Sequence, residues 1–100
     1  MNHRFTSPDV PGTVASFDTE GSSLTLRNLE IHEAVTLDDW ECDNLLRVID
    51  YSPTPDQADA DIHEFFTGET RNPLAARRFA MLFTAIAPQL ESFVYDTEMP

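Results

Sequence analysis

The segment that follows Asn72 constrains the fold more than any other part of the chain. Asn72-Pro73 is typical of a helix start, because Asn caps the first N–H groups and Pro suits the first helical position. On a helix that turns about 100° per residue, residues 73–87 are apolar around most of the circumference, and Arg77 and Thr84 share a narrow polar edge. The apolar stripe of an ordinary surface helix is little wider than about 100°. Residues 73–87 therefore need cover on several sides.

Two interpretations of this helix follow, and the sequence leaves both open. In the first, it is the central element of the domain and the other segments wrap it. In the second, a chain of 100 residues cannot cover it completely, and one face packs against a second copy or a partner. The expected interface is the row of small residues with its phenylalanines: Ala76, Phe79, Ala80, Phe83 and Ala87. A homodimer is the preferred form, because two-fold dimers are the commonest soluble oligomers.

Two further helices are predicted before this one. Thr36 and Asp39 resemble a capping box, and an apolar stripe that includes Trp40 then indicates a helix over 37–51. Thr54, followed by proline and then glutamine, predicts a second helix over 55–67. The third helix is predicted over 73–94, with a kink near Pro88.

The region before these helices is less regular. Residues 1–12 contain two prolines and a glycine without a periodic pattern, which predicts a flexible N-terminal arm. Alternation on either side of an Asp-Thr-Glu-Gly turn makes a β-hairpin plausible over 13–27, whereas residues 24–36 leave strand and helix open. The expected fold is mainly α, with α+β as the alternative. One acidic helical domain is expected to occupy residues 13–100.

Charge narrows the classes of partner. The net charge is −12, and all six cations are arginine. Such a field repels nucleic acid and anionic lipid, so we expect neither direct nucleic-acid binding nor membrane binding. It attracts basic surfaces of the kind that DNA-binding proteins carry. The carboxylates concentrate in residues 28–70, where the expected acidic binding face consists of Asp38, Asp39, Asp43, Asp56, Asp59 and Glu64.

The catalytic and metal-binding motifs that the sequence begins are all incomplete. Asp59-Ala60-Asp61 opens like a calcium loop, but His63 and Glu64 stand where a ligand and a glycine are required. His63-Glu64 opens like a zinc-protease motif without the second histidine. Cys42 lies between two acidic residues that disfavour its thiolate. We therefore expect no enzyme, no catalytic residue, no metal and no cofactor.

In size, charge and helicity the chain resembles small acidic antagonist proteins of bacteria and phages, which include quorum-sensing antiactivators and anti-CRISPR or anti-restriction inhibitors. The resemblance implies a protein that inhibits a DNA-binding regulator or a nuclease by direct protein–protein contact. A cytoplasmic location is expected because the first residues lack the apolar stretch of a signal peptide and no apolar run approaches about 20 residues. One alternative is a DNA mimic whose carboxylates imitate phosphates. Another is an assembly chaperone or immunity protein with one cognate client. The acidity could also reflect salt adaptation, which the sequence does not separate from function.

Overall fold

The computed structural model describes residues 2–98, with side chains for residues 2–94. Four strands come first and three helices follow. The strands are β1 (Asn2–Thr6), β2 (Thr13–Asp18), β3 (Ser23–Asn28) and β4 (Glu33–Leu37). The helices are α1 (Asp39–Tyr51), α2 (Pro55–Glu69) and α3 (Pro73–Glu98). Within residues 2–98, no helix has the length and apolar character needed to cross a membrane.

The fold class is α+β, so the prediction of a mainly α protein is wrong. The four strands pair in chain order as one antiparallel sheet. The expected hairpin over 13–27 is confirmed as β2 and β3, and the undecided segment before α1 holds β4. Mainly α was expected because short strands carry a weaker pattern than capped helices, and pairing with a neighbouring strand stabilises them more than local preference does.

One face of the sheet packs on the helices, and the other carries polar side chains. Alternate positions of each strand point into the core, as period-two geometry requires. The buried apolar side chains of the sheet are Phe5, Ala15, Phe17, Leu24, Leu26, Val35 and Leu37. On the opposite face, Thr25 and Thr36 form a cross-strand pair whose hydroxyls are 3.1 Å apart. The sheet therefore supplies one wall of the core.

The segment expected to be a flexible arm contains β1. Asn2–Thr6 pairs with β2 along its whole length, and Phe5 is buried. Val10, in the loop between β1 and β2, is buried as well. The prolines and glycine that suggested flexibility lie in this loop, after the strand has ended.

A hydrogen-bond network joins the start of β2, the end of β3 and the turn that follows β3. Asn28 is buried, and its Nδ2 donates to Thr13 Oγ1 at 2.9 Å. Its Oδ1 accepts from the backbone N–H groups of Glu30 and Ile31, each at 3.0 Å. Gly12 has φ +81°, and a Cβ there would lie 2.8 Å from the Glu30 carboxylate, so this loop position requires glycine.

Local capping sets where the helices begin. Asp38 caps α1 and forms the capping box with Glu41, so the box predicted at Thr36 and Asp39 is displaced by two residues. Thr54 Oγ1 accepts from the backbone N–H of Gln57 at 3.1 Å, as predicted for α2. Asn72 Oδ1 accepts from the backbone N–H groups of the second and third residues of α3. These are the N–H groups that lack partners within a helix.

The third helix is the central element of the core. The sheet, α1 and α2 all contact α3. On its inner side, Phe79 and Phe83 each pack against Phe66 of α2, with ring centroids 6.0 and 6.4 Å apart. Pro88 lies inside α3, which continues as a single helix to Glu98. The first of the two interpretations therefore fits the burial of α3: this helix is central, and the chain's own sheet and helices pack around it.

Candidate functional site on the exposed face of α1

Three side chains on the outer surface of α1 form the clearest candidate for a protein-binding site. Trp40 is 72% exposed and Tyr51 is 76% exposed. The Arg47 side chain between them is 54% exposed. Tryptophan, tyrosine and arginine are the residue types most enriched at the energetic centres of protein interfaces. We call these three residues the α1 aromatic face.

Helical spacing explains why the three lie together. Trp40, Arg47 and Tyr51 follow at i, i+7 and i+11, which places them along one side of the helix. The core side holds Cys42, Leu45 and Leu46, all buried. An indole exposed to water contributes little to the stability of the fold, because its apolar area stabilises the fold only when buried.

The prediction that Trp40 belongs to the buried stripe of this helix is wrong. Cys42, Leu45 and Leu46 define a core direction that points almost opposite to Trp40 on a helix with 3.6 residues per turn. The helical spacing of the sequence therefore already indicates that Trp40 is exposed. The prediction fails because it groups Trp40 with Leu45 and Val48 in one apolar stripe, whereas the buried side of α1 is defined by Cys42, Leu45 and Leu46.

Acidic side chains border the α1 aromatic face. Asp43 Oδ2 accepts from Arg47 Nε at 2.9 Å, an ion pair one turn apart along the helix. Asp39 and Asp50 are exposed on the same helix. The surface thus combines aromatic area with a surplus of negative charge, which matches a partner surface that is both apolar and basic.

A carboxylate pair lies where the end of α1 meets α3. Burial raises the pKa of Glu91 above its ordinary value of 4.5, and a hydrogen bond and charge repulsion from Asp50 raise it further. The ionised form of Glu91 is therefore disfavoured in the folded chain, so ionisation of this group opposes folding.

Glu91→Gln should therefore stabilise the protein at pH 7. A raised pKa in the folded state means that Glu91 favours folding below its unfolded pKa, and that this contribution is lost as pH rises through the folded pKa. The melting temperature of Glu91→Gln should exceed that of the wild type at pH 7, and the difference should shrink towards pH 4. Thermal unfolding followed by circular dichroism at several pH values measures this.

Glu64→Gln is the matched control, because Glu64 is an exposed helical glutamate on α2. It removes the same charge without touching the Asp50–Glu91 pair. An equal rise in both variants at pH 7 would show that overall charge, and not this pair, sets the effect.

The six residues of the expected acidic face divide between two helices and two roles. Asp38 and Asp39 accept backbone hydrogen bonds at the start of α1, and Asp43 is paired with Arg47. Asp43 Oδ1 is buried without a hydrogen-bond partner among the described residues. By contrast, the carboxylates on α2 are exposed at its surface: Asp56, Asp59 and Glu64. Three of the six residues of the expected acidic face therefore accept hydrogen bonds within α1 itself.

The five residues of the expected dimer interface lie in the core. All of them are buried by the chain's own sheet and helices: Ala76, Phe79, Ala80, Phe83 and Ala87. The side chains that α3 leaves exposed are different ones, including Leu74 and Met81. A homodimer stays a prediction, but exposure of these five side chains does not support it. A charge introduced at the buried Ala80 would disturb the core and could not report on a dimer interface. Sedimentation of the unaltered chain is therefore the direct measurement of oligomeric state.

Cys42 is fully buried in α1. Burial raises the pKa of its thiol to about 12, with the charge of Asp43 as the second cause. The thiolate is the reactive form, so little of it is present at neutral pH. Among the side chains of residues 2–94, no three histidine, cysteine or carboxylate groups are grouped so that they could hold a metal ion.

A separate open groove runs between α2, α3 and the β1–β2 loop. Its volume is about 460 Å³. Asp59 and His63 of α2 line one side, and Arg77, Met81 and Thr84 of α3 line the other. Val10 and Ala80 are buried side chains at its apolar floor, and Asp9 lies at its rim. The groove joins one residue of the expected acidic face, Asp59, to one of the expected dimer interface, Ala80.

Comparison with known proteins adds no relative, because no protein family, no curated protein and no solved structure matches the chain. The α1 aromatic face and the groove are therefore interpreted from their own chemistry.

Proposed function

We propose that this protein is a non-catalytic inhibitor that binds a DNA-binding regulator or a nuclease in the cytoplasm, with the α1 aromatic face as its contact surface. The observation that carries the proposal is the exposure of Trp40 and Tyr51, 72% and 76%, on one side of one helix. Such side chains contribute large contact areas at small cost in conformational entropy.

Charge supports the class of partner. The chain carries a net charge of −12, and Asp39 and Asp50 lie beside the aromatic side chains. A basic protein surface is drawn to this field, and nucleic acid is repelled by it. Regulators and nucleases expose basic surfaces where they bind DNA, so an acidic protein docked there would compete with the DNA.

Replacing Trp40 and Tyr51 together by alanine should abolish binding of the partner. Truncation of one interface residue of this kind costs about 2 kcal/mol or more, which is at least about a 30-fold loss of affinity, and two such losses exceed the range of an ordinary capture experiment. Both side chains are exposed, so the fold should be retained. Affinity capture from the native host, followed by titration of the recovered partner, measures the loss.

Leu74→Ala is the control, because Leu74 is an exposed apolar residue at the start of α3, outside the α1 aromatic face. The Leu74→Ala variant should capture the same partner as the wild type. The purified partner should lose its affinity for DNA when the wild type is added. A partner captured equally by Trp40→Ala/Tyr51→Ala would contradict the proposed surface, and a partner with unimpaired DNA binding would contradict inhibition.

The DNA-mimic alternative is less well supported, because Asp38, Asp39 and Asp43 accept hydrogen bonds within the chain. A mimic should lose affinity steeply as salt is added, whereas an aromatic contact should change little. Replacing Asp38 would also disturb the α1 cap. The sharper test of mimicry is therefore asparagine at Asp56 and Asp59 with glutamine at Glu64, which removes exposed carboxylates and no cap.

A further inference from the structure

The groove between α2 and α3 carries charges that the protein itself leaves uncompensated. Arg77 forms no ion pair with any side chain of residues 2–94, although the chain has eighteen carboxylates. The side chains of Asp9, Asp59 and His63 likewise form no ion pair or hydrogen bond with another described side chain. Arg77 and Asp59 thus line the same groove without pairing with each other, so both charged groups are available to a ligand in the groove.

The charges lie at opposite ends of the groove. The connection between α2 and α3 is short, and Phe66 of α2 packs on Phe79 and Phe83, so the two helices run antiparallel. Of the residues that line the groove, those near the start of α2 therefore lie beside those furthest along α3. Asp59 accordingly lies towards Thr84, and Arg77 lies towards the connection.

The distance between the two ends follows from helix geometry. Arg77 and Thr84 are seven residues apart on α3, which corresponds to about 10 Å of helix axis. Between them, Ala80 and Met81 supply apolar surface, and Val10 closes the floor from the β1–β2 loop. Along the helix axes, Arg77 therefore lies towards one end of the groove and Asp59 towards the other, with apolar surface between them.

We propose that this groove binds a short extended peptide of about three residues through both of its charged ends. An extended chain spans about 3.3 Å per residue, so three residues match the separation of about 10 Å. The peptide carboxylate pairs with Arg77, whose guanidinium can donate two parallel hydrogen bonds. The peptide ammonium pairs with Asp59, and a central apolar side chain lies against Met81 and Ala80.

The site is independent of the α1 aromatic face, since none of its lining residues belongs to α1. The volume of about 460 Å³ lies within the range of pockets that bind small ligands. His63 on α2 and Thr84 at the Asp59 end of the groove can hydrogen-bond the peptide backbone.

The test uses the tripeptide Ala-Leu-Ala in three forms: with free ends, with an amidated carboxyl end, and with an acetylated amino end. Binding is followed by the backbone amide resonances of the isotope-labelled full chain. The free peptide should bind with a Kd of about 1 mM or tighter and should shift resonances of Val10, Ala80 and Met81. Amidation and acetylation should each weaken binding at least about tenfold.

The variants link each end to one residue. Arg77→Gln should weaken the free peptide by about the same tenfold as amidation, and amidation should then have no further effect. Asp59→Asn should weaken binding of the free peptide by about the same tenfold as acetylation, and acetylation should then have no further effect. Arg71→Gln and Asp56→Asn are the matched controls, because both residues are exposed and lie outside the groove. They should bind all three peptides as the wild type does.

Three results would overturn the proposal. The first is no saturable shift with any peptide up to about 10 mM. The second is equal affinity for the free, amidated and acetylated forms. The third is free leucine binding as tightly as the tripeptide, because a single amino acid cannot span both ends. None of these results bears on partner binding through Trp40 and Tyr51.

Discussion

Phe66→Ala should lower the free energy of unfolding by about 3–5 kcal/mol, a large part of the stability of a domain this size. Phe66 is fully buried in α2 and packs against Phe65 of its own helix and against Phe79 and Phe83 of α3. Its removal leaves a cavity where the two helices meet, and three aromatic contacts are lost at once. Urea unfolding followed by circular dichroism measures the change.

The neighbouring Phe65→Ala is the control for this prediction. Phe65 is only partly buried, and its one described ring contact is with Phe66. Its truncation should cost clearly less than that of Phe66. If the two variants lost the same free energy of unfolding, the aromatic cluster between α2 and α3 would not be the centre of this part of the core.

The second large effect is expected from Ala76→Glu, which should leave most of the chain unfolded. Ala76 is fully buried on α3, and the substitution places a carboxylate there without a partner. An uncompensated buried charge costs about 3–5 kcal/mol, and the larger side chain adds overpacking. The expected result is loss of the cooperative thermal transition and of the dispersed amide resonances of the folded chain.

Leu74→Glu, two residues away, separates burial from charge. Leu74 is 48% exposed in the first turn of α3, a turn without an acidic residue. A glutamate there interacts favourably with the helix N-terminus and should leave the fold intact. A folded monomeric or dimeric Ala76→Glu variant would contradict the burial of α3 and would revive an exposed interface at this position.

The helical half of the fold was largely predictable from the sequence. Thr54 and Asn72 act as the caps that their positions predicted, and α2 and α3 begin at the prolines that follow them. Capping depends on side chains within three residues of the helix start, so a local reading suffices. The hairpin of β2 and β3 was predictable for the same reason, because its strands flank a short turn.

The candidate sites were predictable only in part. The spacing of Cys42, Leu45 and Leu46 indicates that Trp40 faces away from the core, although the apolar stripe predicted for this helix includes Trp40. The groove could not be predicted, because Asp9, Asp59 and Arg77 come from three distant segments. The carboxylates of residues 28–70 could be counted, but their separation into caps, ion pairs and exposed groups required neighbours in space.

What the sequence determined by itself is therefore what nearby residues decide: the helix caps, one hairpin, and the all-round apolar character of α3. Tertiary structure alone decided that Asn2–Thr6 adds a strand to the sheet and that the chain's own elements cover Ala76 and Phe83. Strand pairing and helix burial depend on contacts between residues far apart in the chain. Their free energy comes from burying surface on both partners at once, which neither segment specifies alone.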